Sequence, residues 1–215
     1  MDRARVVSYP GPEPGRRADR RGVIRRISGP LIAGVIALAK WSFVLVKFGG
    51  IFLAVGGYAL IWGWRFAIGF VFLILVHELG HFLEAQREGL HPKLPVFIPF
   101  LGAYVQFTRG NPWQTARVAI AGPILGGAGA LGFLVWGEHT GSQLLRAIAY
   151  TGFFLNIFNM IPFGFFDGGQ VWRAAGYLRR GGGGTKATFV YGLYFATFAM
   201  LVLGMYAAHV PQNRL

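Results

Sequence analysis

Apolar residues fall along this chain in long blocks, separated by segments rich in arginine, glycine or proline. The blocks lie near residues 31–64, 66–85, 117–136, 144–162 and 188–208. Each of the last four, at about 18–21 residues, is long enough for a helix to cross a hydrocarbon layer about 30 Å thick. The first block is awkward. As a helix it would reach about 51 Å, too long for one crossing and too short for a good pair. Lys40, Lys47 and Gly49-Gly50 interrupt it.

The basic residues decide how often that block crosses. With one crossing, near residues 43–63, residues 31–41 lie along the interface, and the N-terminal segment shares a side with segments 86–117 and 163–188. That side then holds all of the 21 Lys and Arg residues except Arg65, Arg146 and Arg214. Such an excess marks the cytoplasmic side. A second crossing would put the N-terminal arginines opposite the other basic segments. The pattern predicts an all-α membrane protein of about five transmembrane helices, multi-pass in the cell membrane, with a cytoplasmic N-terminus.

Between the second and third spans, residues 92–107 break the helical pattern. Pro92, Pro95 and Pro99 exclude a helix, while Val96, Phe97, Ile98, Tyr104 and Val105 suit short strands with a turn near Gly102. A short membrane-associated β-hairpin or loop is expected here. Its free edge would offer a place for an extended peptide to add as a further strand.

Composition sharpens this picture in two ways. A content of 54% hydrophobic and 13% charged residues is not that of an ordinary soluble domain. The net charge of +13 suggests nucleic acid only until its distribution is considered. Residues 1–29 hold eight of the arginines beside Pro10, Pro12 and Pro14, a composition too polar and too broken to fold alone. They read as a disordered basic cytoplasmic arm near anionic lipid headgroups, with no nucleic-acid partner. The absence of cysteine excludes disulfides and thiolate-bound metals.

The candidate chemistry lies inside the second span, at His77-Glu78-Leu79-Gly80-His81. Two histidines four apart share one helix face and can reach a single zinc ion. A glutamate beside the first histidine is the usual general base for water at such a metal. Burying these polar groups among Phe70, Val71, Phe72, Leu73, Ile74, Leu75 and Val76 is costly, so a functional role is the first explanation. Entering from the outside near Phe66, the helix reaches His77 about 16 Å along its axis, in the cytoplasmic half of the membrane. Zinc needs a third protein ligand and an open position. By location, Asp167 and Glu84 remain: Asp167 follows Pro162 at the end of the fourth span, and Glu84 shares the ligand face. Gly168-Gly169, next to Asp167, suits a tight turn.

The pairing of HELGH on one span with Asn159-Met160-Ile161-Pro162, followed by Asp167-Gly168, on a later one resembles the site-2 protease family of intramembrane zinc metalloproteases. The resemblance covers roughly residues 66–175. It implies zinc held by His77, His81 and Asp167, Glu78 as the catalytic base, and Asn159 engaging substrate. Asn156, one turn earlier, shares its helix face and is placed to support it, the alternative for either asparagine being an interhelical hydrogen bond. Two positions depart from the family pattern. Gly126 stands where an Asn often follows the Gly-Pro of the middle core span, and Glu84 stands where small apolar residues are common.

The expected organisation is the arm at 1–29, an interfacial helix plus the first span at 30–64, and the metalloprotease core with its C-terminal span at 65–215. The expected activity is hydrolysis of peptide bonds in or near the transmembrane segments of membrane-protein substrates. The alternative is a catalytically silent membrane protein that binds client helices or regulates a partner protease.

Overall fold

The computed structural model describes residues 49–98, 102–108 and 110–209. The basic arm, the interfacial helix and the start of the first expected span lie outside them. Helix α1 covers Gly49–Trp62 and α2 covers Trp64–Arg87. Gly63 separates them with φ 81°, a left-handed backbone conformation that glycine adopts without a Cβ clash. Ala54 and Tyr58 of α1 pack on Ala67, Phe70, Val71 and Ile74 of α2. Strands β1 (Val96–Ile98) and β2 (Gly102–Tyr104) pair antiparallel, with Val96 opposite Tyr104 and Ile98 opposite Gly102. Gly102 therefore opens β2. Backbone bonds from Lys93 N–H to the Gln106 carbonyl and from Thr108 N–H to the Leu90 carbonyl carry the pairing back towards α2.

Helices α3 (Pro112–Thr140), α4 (Gln143–Asn159), α5 (Asp167–Arg180) and α6 (Gly184–Ala208) follow. Helix α3 is central and packs on α2, α4, α5 and α6. It starts at a capping box in which Asn111 and Gln114 satisfy each other's backbone N–H groups, with Pro112 in the first turn. Small residues let it approach its neighbours: Ala116, Ala119 and Ala130 are buried in one cluster with Ala149, Phe153, Val171 and Leu201.

Three helices, α2, α3 and α6, are long and apolar enough to cross a membrane. Their exposed faces are apolar too. Ile68, Phe72, Leu75, Leu79 and Leu83 form such a stripe on α2, and Phe189, Phe195, Met200 and Leu203 are exposed on α6. A helix apolar on every side belongs in lipid or in a core. Helix α4 has 17 residues and ends before Pro162, as the clash of a proline ring with the preceding helical backbone requires.

One expectation changes around Gly168-Gly169. These residues form the first turn of α5, not a tight turn. A Cβ on Gly168 would lie 2.7 Å from the Ile161 carbonyl oxygen and nearer still to that of Met160; one on Gly169 would lie 2.6 Å from the Phe163 carbonyl oxygen. The glycines thus let the 160–166 segment fold down on α5. Tyr194 of α6 donates a hydrogen bond to the Met160 carbonyl from the other side.

Candidate active site

Helix α2 presents His77, Glu78 and His81, all buried, to a cavity of about 480 Å³. The cavity is bounded by α2, β2 and the segment after it, α3, the end of α4 and the start of α5. The four-residue spacing puts the two imidazoles face to edge, with centroids 4.7 Å apart. Asp167, the first residue of α5, enters from the opposite side. Its Oδ2 lies 3.2 Å from His77 Nε2 and 3.3 Å from His81 Nε2, and the two Nε2 atoms are 3.1 Å apart. An acid in the first turn also suits the helix dipole there.

The outer nitrogens of both rings are committed. His77 Nδ1 lies 2.8 Å from Asn156 Oδ1, and His81 Nδ1 lies 2.8 Å from the Val118 carbonyl oxygen. A carbonyl only accepts, so each Nδ1 carries a hydrogen, and in the neutral ring each Nε2 turns a lone pair inward. Three electron-rich atoms thus converge where neutral imidazoles have no hydrogen to share. Asp167 Oδ2 is buried without a hydrogen-bond donor. A cation resolves this arrangement. Zinc at about 2.0–2.1 Å from each ligand in a tetrahedron requires ligand separations of about 3.3–3.4 Å, close to those observed. The donor set fits zinc.

Glu78 also places a carboxyl oxygen within 4.8 Å of both imidazoles. Asp167 Oδ2 is the carboxylate oxygen at 3.2–3.3 Å from both Nε2 atoms. The backbone N–H of Val105, just past β2, faces the Glu78 carboxyl. Glycines make the close approach possible. A Cβ on Gly80 would lie 2.9 Å from Gly122 Cα, and a Cβ on Gly122 would clash with the edge of the His81 ring, 2.8 Å from its Cδ2 and nearer still to Nε2 and Cε1.

Asn159 lies at the cavity wall, half-buried, and its Nδ2 donates to the Leu155 carbonyl at 3.1 Å. Asn156 does not support Asn159; it bonds to His77 itself. Glu84 stands apart from the three converging atoms. Arg117 of α3 grips its Oε1 at 2.6 Å and Glu88 Oε1 at 2.6 Å, whereas Arg87 lies 3.9 Å from Glu84. Neither Arg117 nor the His77–Asn156 bond is visible from sequence, because each depends on the packing of a second helix.

Residues 65–140 match Peptidase family M50. A Synechocystis protein provisionally named a zinc metalloprotease is 31% identical over 50% of this chain and 31% of its own length. The zinc metalloprotease of Methanocaldococcus jannaschii is 27% identical over 69% of this chain and 46% of its own. Rip3 of Mycobacterium tuberculosis, also provisionally named a zinc metalloprotease, is 28% identical over 68% of this chain and 40% of its own. The chain thus spans less than half the length of these curated relatives. No solved structure gives a significant match. The stretch that carries the histidine pair is thus similar to Peptidase family M50.

Proposed function

We propose that this chain is an intramembrane zinc metalloprotease that hydrolyses peptide bonds in or beside the transmembrane segments of membrane-protein substrates. The observation that carries this reading is the convergence of His77 Nε2, His81 Nε2 and Asp167 Oδ2 at 3.1–3.3 Å beside a buried glutamate. His77, His81 and Asp167 hold the metal. Zinc, when bound, supplies Lewis acidity that polarises the scissile carbonyl and makes water easier to deprotonate. Glu78 takes the proton from the attacking water on its carboxylate and returns it to the leaving amine nitrogen. Buried walls of Phe70, Ile74 and Val118 exclude bulk solvent from that transfer. Asn159 offers its amide to the substrate backbone near the bond being cut.

A transmembrane helix hides its peptide groups, so the substrate must be extended before attack. Ala103, Tyr104 and Val105 line the same cavity as Glu78, and β2 supplies a strand edge for such a peptide. In this reading the chain crosses the membrane about five times, with α1 and α4 joining the three longer spans. The strand pair dips into the cytoplasmic half of the membrane, and the basic arm rests on anionic headgroups inside the cell.

The test is zinc per chain and cleavage of a transmembrane substrate by detergent-purified protein. Wild type is expected to hold about one zinc. Asp167→Ala should lose most of it, and Glu78→Gln should keep the metal while cleavage disappears. Turnover preserved in Glu78→Gln would remove the general-base assignment. A well-folded wild type without zinc would favour a client-binding protein instead.

A further inference from the structure

Asn156 has no exposed surface, although it carries a full amide within an apolar helix. Both ends of that amide are used. Its Nδ2 donates to the Gly152 carbonyl at 2.7 Å, which fixes the oxygen on the other side, 2.8 Å from His77 Nδ1. Since Oδ1 only accepts, Nδ1 carries a hydrogen, and in the neutral ring the Nε2 lone pair faces Asp167 and His81. The space for this arrangement comes from α3. A Cβ on Gly126 would lie 2.8 Å from Asn156 Nδ2 and 2.9 Å from its Cγ, and nearer still to Oδ1.

We propose that Asn156, seated in the space left by Gly126, is a positioning residue that locks the tautomer and ring orientation of His77. The proposal rests on the reading of His77 as a metal ligand. Metal-bound histidines are held in this way by an acceptor on the far nitrogen. Here the acceptor comes from a different helix, α4, so the metal centre depends on α4 staying packed against α2, in the space left by α3, as well as on the three ligands.

A pure packing role predicts a different order of substitutions. Leucine has nearly the shape of asparagine and no acceptor; aspartate has the acceptor and adds a buried charge. Zinc affinity of the full chain in detergent, measured by competition with a chromophoric chelator, separates the two. Asn156→Leu should weaken zinc about 10- to 100-fold, with Asn156→Asp staying near wild type. Gly126→Ala, which displaces the amide without altering it, should weaken zinc as well. Wild-type affinity in folded Asn156→Leu, or leucine outperforming aspartate, would overturn the proposal. Should the variants misfold, 15N spectra of His77 in the zinc-loaded wild type decide. Hydrogen on Nδ1 and metal on Nε2 is expected, and the reverse would overturn it. A wild type that binds no zinc fails the metal centre itself. Unchanged affinity in Asn156→Leu beside a zinc-loaded wild type fails this proposal alone.

Discussion

At the scale of single residues, the tightest point of the site is Gly122, whose hydrogen faces the ring of His81. A methyl group there would overlap a side chain already pinned by the Val118 carbonyl, so the ring has nowhere to yield. Gly122→Ala should weaken zinc about 10-fold or more by chelator competition, as loss of ligand support typically does. Gly192→Ala, into open space on α6, should leave it unchanged. The histidine pair was readable from sequence because its spacing is local and helical. Asp167 could be narrowed only to a choice with Glu84, since the distance between α2 and α5 is a tertiary fact. From sequence Asn156 is open in the same way, between support of Asn159 and an interhelical hydrogen bond. Its helix face was identified, but its partner lies 79 positions away on another helix.

At the scale of elements, the ends of α2 and α3 are joined by Arg117, which holds Glu84 and Glu88 at once while both carboxylates are largely buried. The adjacent Gln114 side chain donates to the Glu88 carbonyl at 3.2 Å, so the joint has a polar backbone contact too. Arg117→Gln would remove the ion-pair partner of Glu88 and leave Glu84 only the longer contact to Arg87, and should lower stability by about 1–3 kcal/mol in detergent-based denaturant unfolding. Adding Glu84→Gln should recover part of that loss. No change in Arg117→Gln would reduce the joint to an ordinary surface pair. Among the elements, apolar blocks located α2, α3 and α6 well, because length and hydropathy suffice in lipid. Helix α5 escaped notice. Its signal was present, with Val171, Ala174, Ala175 and Leu178 at helical spacing and Arg173, Arg179 and Arg180 on the outer side. The two glycines at its start suggested a turn, and only the carbonyls packed over them reveal why a helix begins there.

At the scale of the whole molecule, the polar centre is assembled from parts that are each apolar in bulk. Helix α2 contributes two imidazoles and an acid, α5 a carboxylate, α4 an amide and α3 a backbone carbonyl. Hydropathy could indicate that such helices lie in a membrane, but not which faces meet, because lipid-facing and partner-facing sides are equally apolar. Small residues set those meetings instead, and they lie along α3: Gly122 beneath His81 and Gly126 beneath Asn156, one turn apart. This has a consequence for how the sequence can drift over time. Any side chain arriving at position 126 meets an amide already in place, and an apolar replacement at 156 leaves His77 without its acceptor. Neither position is free to change first, so among descendants of this chain the two should be inherited as a unit or replaced together.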